Sequence, residues 1–315
     1  MNKTTRLVAH FFFGMLCIAG AQARELVLGF AQIGAESQWR IANSRSIQES
    51  AASANIALKF VDADQQQANQ IKAIRSFIEQ KVDVIALAPV VTTGWDEVLG
   101  EARRAHIPVI LTDRSIDTRD DGLYTTFLGS DFAEEGRRAG RWLLRNAKPT
   151  GEVRIVELQG SAGSAPAIER KRGFDEVIRA DARFKVVQSK TADFTKAKGK
   201  EVMAAFLKAE GKTIQVVYAH NDDMAIGAIQ ALEEAGIKPA KDVLVIGVDA
   251  VKGAFDAMVA GKMNVSVECT PLIGPQLMDL VRYVSQGKPV PKRVQSLEGV
   301  FTMETAAREY DKRKY

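Results

Sequence analysis

The sequence predicts an α/β protein of two lobes, each built on a parallel sheet, with a cleft between them. Three observations carry this expectation. Short apolar runs alternate with amphipathic stretches of helical length, the pattern of parallel βαβ units. The alternation restarts near residue 130. Several runs, such as VDVIALA at 82–88, are apolar almost throughout, as strands buried on both faces must be. With 315 residues, 46% hydrophobic and 26% charged, the chain has material for about two ordinary domains. Disorder, collagen and coiled coil are excluded by the same composition.

In chain order, 26–32 (LVLGFAQ) reads as a strand and 39–53 as a helix with Ile41, Ile47 and the alanines recurring on one face. A strand at 56–61 leads to a helix at 67–80, where Ile71, Ile74, Phe77 and Ile78 repeat at three and four. The buried run at 82–88 is followed by a helix at 95–105, a strand at 108–111, a strand at 125–128 and a helix at 133–146. The second series runs strand 153–158, helix 168–179, strand 185–188, helix 196–209, strand 216–219, helix 225–235 and strand 243–248. Helices at 255–260 and 274–285 flank a strand at 265–267. The tail after Pro291 (KRVQSLEGVFTM) keeps strand character and must pair with a sheet already built, so the chain crosses between lobes more than once.

The amino terminus is read apart from the fold. Lys3 and Arg6 precede an apolar stretch at 7–20 (LVAHFFFGMLCIAG) and then Ala21-Gln22-Ala23, the layout of a secretory signal peptide at 1–23. The stretch is shorter than the roughly 20 residues a membrane-spanning helix needs. Cleavage after Ala23 removes Lys3 and Arg6, the only charged residues in that segment, so the net charge falls from +4 to +2. It also removes Cys17 and leaves Cys269 as a single thiol, which cannot form an internal disulfide and reads as a small buried apolar residue. The chain has no clustered basic run, so nucleic acid is not an expected partner. Two cysteines cannot build a common four-ligand zinc site, and no metal or cofactor is expected.

Ligands of open parallel sheets bind outside the carboxyl ends of the strands. Those ends carry Glu36, Ser37, Gln38, Trp39 and Arg40 after the first strand, and Asp113 and Arg114 after 108–111. They also carry His220, Asn221, Asp222 and Asp223 after 216–219, Asp249 after 243–248, and Glu268 after 265–267. Carboxylates accept from paired hydroxyls, arginines offer a planar fork of donors, and Trp39 supplies a flat face. This combination suits a polyhydroxylated ring. Plainer roles compete: Ser37, Asp131 or Asp222 as helix caps, Asp113 and Arg114 as a surface ion pair, and Trp39 as core.

At these residues the sequence resembles the type I periplasmic sugar-binding proteins, the ribose-binding-like group that delivers ligands to ABC importers. The resemblance covers essentially all of 24–315. It rests on VDVIALAPV at 82–90, VILTDR at 109–114, AIERKRGF at 167–174, TADFTKAKGKEVM at 191–203, VVYAHNDDMAIGAIQAL at 216–232 and VLVIGVDA at 243–250. GAESQWR at 34–40, HNDDMAIGAIQA and Glu268 are most similar to the galactofuranose-binding members. The resemblance implies two Rossmann-like lobes joined by a three-segment hinge. The first lobe would hold 24–128 plus 269–290, and the second 129–268 plus 291–315.

It further implies that Glu36, Ser37, Gln38, Trp39, Arg40, Asp113 and Arg114 bind ligand from the first lobe. Arg170, Asn221 and Asp249 would do so from the second, with Glu268 near a hinge and Phe194 stacking on the sugar ring. Trp39-Arg40 replaces a phenylalanine pair of ribose binders, and Glu268 replaces a glutamine. Both departures favour a ligand with an extra hydroxyl-bearing arm. The implied function is capture of a monosaccharide, galactofuranose or a similar furanose, by lobe closure in the periplasm. A monomer would hand it to permease subunits in the inner membrane. Another pentose, a polyol, or a signalling receptor as the partner are the alternatives.

An enzyme would need other residues. Gly29 and Gly34 lack the dinucleotide spacing. After residue 23 the histidines are His106, in a turn before Ile107-Pro108, and His220, better suited to ordering its loop. Asp113 and Asp249 could suggest glycoside hydrolysis, which needs one of them protonated, while Arg114 would keep its neighbour ionised. A transcriptional repressor core of the same fold would begin with a helix-turn-helix in place of the leader.

Overall fold

The computed structural model describes residues 24–148 and 150–315; the expected signal peptide at 1–23 lies outside them. The first lobe runs β1 (Leu26–Gln32), α1 (Gln38–Ser53), β2 (Ile56–Asp62), α2 (Gln67–Glu79), β3 (Val84–Leu87), α3 (Asp96–Arg104), β4 (Val109–Thr112) and β5 (Thr126–Gly129). The second follows with α4 (Phe132–Asn146), β6 (Val153–Gln159), α5 (Ala165–Ile178), β7 (Phe184–Thr191), α6 (Lys196–Glu210), β8 (Val216–Ala219), α7 (Asp222–Glu234), β9 (Leu244–Asp249), α8 (Lys252–Val259) and β10 (Val265–Glu268). The chain then adds α9 (Gly274–Ser285), β11 (Arg293–Gln295), β12 (Val300–Thr302) and α10 (Met303–Glu309).

Two six-stranded sheets result, ordered β11-β5-β4-β3-β1-β2 and β12-β10-β9-β8-β6-β7. Both wind outward from their first strand, so the order reverses between β1 and β3 and again between β6 and β8. Such switch points open a crevice at the strand carboxyl ends. Among the described residues every strand pairing is parallel except β10 with β12. The inner strands β3, β4, β5 and β8 are buried along their whole length, which explains their unbroken apolar runs. Core side chains cover each sheet on both faces: Phe77, Trp95 and Leu99 on one side of the first sheet, Ile47, Leu277 and Val281 on the other.

The chain crosses between lobes three times, after β5, after β10 and after β11. Glu298 gathers the crossings. Its Oε1 accepts from the Thr270 amide at 3.0 Å and from the Ser130 hydroxyl, and the Ser296 amide donates to Gly129 O at 3.0 Å. The sequence placed everything after 291 in the second lobe, but Arg293–Gln295 pair with Phe127–Gly129 of the first sheet. The pairing is reinforced by Arg293 and Lys292 stacking on Phe127 and Tyr124, so the last crossing lies at Ser296–Gly299. Val300–Thr302 then pair antiparallel with β10.

Two glycines set the geometry that matters for the cleft. A Cβ on Gly136 would lie 2.2 Å from Arg170 O, and one on Gly173 would lie 1.9 Å from Ala133 O. Helices α4 and α5 therefore touch backbone to backbone, which brings Glu135 beside Arg170.

Candidate functional site

The lobes meet across the cleft. The Gln38 amide donates to Asp223 Oδ2 at 3.1 Å, and the Thr92 amide donates to Gly163 O at 3.0 Å. Between them lies a narrow cavity whose empty space, solvent at its mouth included, is about 290 Å³. Its walls are Glu36, Ser37, Trp39, Arg40, Asp113, Arg114, Phe132, Pro166, Arg170, Phe194, Asn221, Asp249 and Cys269.

From the first lobe, Ser37 caps α1 by accepting from the Arg40 amide at 3.1 Å. That cap turns the next residues inward. The Arg40 guanidinium donates to Asp113 Oδ2 at 2.7 Å, to Glu36 Oε1 at 3.3 Å and to Gln32 Oε1 at 3.3 Å. Burial opposes its charge, but Asp113 and Glu36 outweigh burial and raise its pKa. Arg114 is held less completely. One nitrogen donates to Val90 O at 3.2 Å, its Nε has no hydrogen-bond partner among the described residues and lies 3.8 Å from Asp113 Oδ2, and its pKa is brought down to about 10 by burial and the Arg40 cation. Asp113, between the two arginines, has φ 61°, a left-handed conformation that non-glycine residues adopt at a cost and that clusters at functional sites.

From the second lobe, Arg170 donates to Glu135 Oε2 at 2.7 Å, to His220 O at 2.5 Å and to Asp249 Oδ1 at 3.4 Å. Burial raises the pKa of both Glu135 and Asp249, while Arg170 opposes the rise. His220 does not line the cavity. Its Nε2 lies 3.1 Å from Glu157 Oε1 and the Gly160 amide donates to its Nδ1 at 3.4 Å. Burial lowers its pKa, which fits a neutral ring that orders the loop. Asn221, and not Asp222, caps α7, accepting from the Met224 amide at 3.0 Å; its Nδ2 donates to Phe194 O at 3.1 Å. Asp222 instead binds the Ser266 hydroxyl and the Val251 amide. The Arg114 guanidinium carbon sits 5.3 Å from the Phe194 ring centroid, so an arginine of one lobe faces an aromatic of the other.

Ten of the twelve residues that the resemblance assigns to the ligand line one cavity. Gln38 and Glu268 do not, and neither do His220, Asp222 and Asp223 among the other strand-end residues. The Gln38 side chain faces an outer groove with Ile41, Ala42 and Arg45, because it lies at the start of α1 on the side away from Trp39 and Arg40. Glu268 is turned from the cavity: its Oε1 accepts from Arg313 at 2.9 Å and Tyr315 at 3.2 Å, and its Oε2 from the Gly299 amide at 2.9 Å. Trp39 lines the cavity and is also core, the plainer of its two readings. Its Nε1 donates to Cys269 O at 2.6 Å, tying the first lobe to a hinge crossing.

The wall residues not singled out are Phe132, Pro166 and Cys269. Each follows a strand end, so the positional rule reaches them, but a search for polar groups passes over them. Cys269 is a buried thiol beside Ser130, as a small apolar residue would be. Glu135, Cys269 and Glu298 are close enough to share an ion, though Arg170 already supplies the positive charge there.

The cavity therefore offers three fixed guanidinium groups, carboxylates at both lobes and aromatic faces at Trp39, Phe132 and Phe194. Glu36 Oε2 and Arg114 Nε are buried acceptor and donor atoms with no hydrogen-bond partner among the described residues, although Arg114 Nε lies 3.8 Å from Asp113 Oδ2. Leaving such groups unpaired costs about 1–3 kcal/mol each, and ring hydroxyls both donate and accept.

Known proteins agree with this architecture. The galactofuranose-binding protein YtfQ of Escherichia coli (strain K12) is 47% identical over 299 residues, 93% of each chain. A Mycobacterium smegmatis protein in complex with β-D-fucofuranose superposes with a TM-score of 0.90 at 52% identity, covering 92% of this chain and 95% of that one. The periplasmic binding component of the arabinose ABC transporter from Shewanella sp. ANA-3, bound to α- and β-L-arabinofuranose, gives 0.88 at 49% identity, covering 91% and 95%. The two-sheet arrangement is the type I periplasmic binding protein fold. A family model described as a periplasmic binding protein domain matches residues 28–289, and the chain belongs to that family.

Proposed function

We propose that this protein captures one monosaccharide in its furanose form by closing two lobes over it, and delivers it to the permease of an ABC importer. The observation that carries the reading is the pair of buried atoms without a hydrogen-bond partner among the described residues, Glu36 Oε2 and Arg114 Nε, on a cavity whose opposite wall is Phe194, Asn221 and Asp249. A small ring with hydroxyls at its edge satisfies both atoms and bridges the lobes. The furanose preference is supported by the ligands named for the Mycobacterium smegmatis and Shewanella proteins. Binding without catalysis is supported by the relatives named above, which are sugar-binding and transport components.

The residues assigned to the ligand are Glu36, Ser37, Trp39, Arg40, Asp113 and Arg114 from one lobe, and Arg170, Phe194, Asn221 and Asp249 from the other. The protein works as a monomer in the periplasm, reached through cleavage of the leader near Ala23. No helix among the described residues is long and apolar enough to cross a membrane. Ligand contacts to both lobes favour the closed state over the open one.

The test is calorimetric titration of the refolded, ligand-stripped protein with galactose, L-arabinose, ribose, glucose and a polyol. Free galactose is only slightly furanose, so selection of that ring gives a low apparent occupied fraction of added sugar. Tight polyol binding would overturn the furanose assignment, tight ribose binding would overturn a galactofuranose-like ligand, and no binding to any of them would overturn sugar capture.

A further inference from the structure

One residue far along the chain holds both ends of the turn that carries a ligand carboxylate. Asp249 ends β9, and the next helix begins at Lys252. Between them Asp249 has φ 122° and Ala250 has φ 58°, two successive residues in conformations that favour glycine. Such strain persists only where surrounding contacts over-determine it. Tyr315 supplies contacts at both ends. Its hydroxyl lies 3.4 Å from Asp249 O, and its carbonyl accepts from the Lys252 amide at 2.7 Å.

The hydroxyl is itself positioned. It also lies 3.2 Å from Glu268 Oε1, the carboxylate that Arg313 binds at 2.9 Å. The Arg313 guanidinium is stacked among Phe255, Phe301 and Tyr315, with its carbon 4.7–5.2 Å from their ring centroids. Glu268 faces Asp249 in the β9–β10 register, so this cluster sits directly behind the cavity wall. Within the turn, the Ala250 amide donates to Ser266 and the Val251 amide to Asp222. At the remaining two positions Tyr315 holds Lys252 through its carbonyl, while its hydroxyl, whose one proton goes to Glu268, lies against an Asp249 carbonyl that the Cys269 amide also holds at 3.4 Å.

We propose that Arg313 and Tyr315 are positioning residues for sugar binding: they clamp the Asp249–Lys252 turn through Glu268 and so aim the Asp249 carboxylate into the cavity. This also gives Glu268 its role, behind the site and not in it. The inference rests on Asp249 being a ligand residue, as proposed above.

The experiment is a double-mutant cycle on the full chain, with L-arabinose and galactose as probes. Tyr315→Ala is expected to weaken binding about fivefold or more in the wild-type background, and by less than about twofold in an Asp249→Asn background. Both variants keep the backbone carbonyl that accepts from Lys252, but Tyr315→Phe also keeps the ring that anchors it against Arg313 and is expected to lose less. Equal losses in both backgrounds would show a general packing role and overturn the inference, as would wild-type affinity in Tyr315→Ala. A second readout needs no sugar. Amide exchange at Lys252 is expected to speed up about tenfold or more in Tyr315→Ala, while exchange in the β3 core stays unchanged. Unaltered exchange at Lys252 would overturn the clamp. Failure of the wild-type protein to bind either sugar would instead count against the sugar reading.

Discussion

The backbone amide of Gln38, in the first lobe, donates to the Asp223 carboxylate of the second at 3.1 Å. The donor is the helix N-terminus of α1, immediately after the Ser37 cap, so the bond can form only when the lobes are together. Asp223→Ala removes the acceptor without touching the cavity. Sugar affinity is expected to fall about 3–10-fold, the worth of a hydrogen bond to a charged group less what exposed neighbours recover. Gln38→Ala keeps the amide and should stay within about twofold. Titration calorimetry separates them, and a larger loss for Gln38→Ala would mean that its side chain does reach the ligand.

Arg114 gives the sharpest test of the cavity. Its Nε has no hydrogen-bond partner among the described residues, while the backbone carbonyl of Val90 holds the other side of the guanidinium. Arg114→Ala is expected to lower affinity at least about tenfold, since a charged donor to a buried hydroxyl is lost. Melting of the free protein should change little, because the same substitution relieves repulsion with Arg40. Wild-type affinity in that variant would remove Arg114 from the site.

What could be read from the sequence follows from parallel-sheet geometry. Asp113, Asn221 and Asp249 all follow strands whose ends converge on one crevice, so locating the strand locates the residue. Helix phase is harder. At about 100° per residue, a boundary one residue earlier than expected decides which of Gln38 and Trp39 faces in. Strand parity explains Glu268 and Cys269 in the same way, since successive side chains point to opposite faces. The three-residue strand at Arg293–Gln295 was beyond local reading altogether. Its sheet is chosen by Phe127 and Tyr124, more than 160 positions away, and nothing in its own composition names them.

Buried carboxyls set a pH dependence of stability. Burial, reinforced at Glu298 by the nearby charge of Glu135, pushes Asp222 and Glu298 up to about 8, and burial pushes Asp223 up to about 6. The folded chain therefore keeps protons that the unfolded chain releases above about pH 4. That stabilisation is complete below the unfolded carboxyl range and is lost as pH rises to about 8. The melting temperature is expected to fall from pH 5 to pH 8.5. Glu298→Gln cannot ionise, yet its amide oxygen can still accept from Ser130 and Thr270, so its melting curve should fall less, ending roughly 2–4 °C above the wild-type trend. Parallel trends for the two proteins would show that Glu298 does not titrate in that window.

Gly160 and Phe194 should be coupled in stability as well as in function. A Cβ at Gly160 would lie 1.8 Å from Phe194 Cζ, so no rotamer adjustment of the glycine position itself relieves the contact; the ring has to move. Phe194 is poorly free to do so, because its backbone is left-handed at φ 60° and Asn221 holds its carbonyl. Gly160→Ala is therefore expected to cost about 1–3 kcal/mol of stability, the range for overpacking, and to weaken sugar binding by displacing the cavity wall. In a Phe194→Ala background the ring is gone and the added methyl has room, so Gly160→Ala should there cost less than about 0.5 kcal/mol. Urea unfolding of the four proteins measures both values. An undiminished cost in the Phe194→Ala background would place the strain elsewhere, for instance in the His220 ring that receives the Gly160 amide.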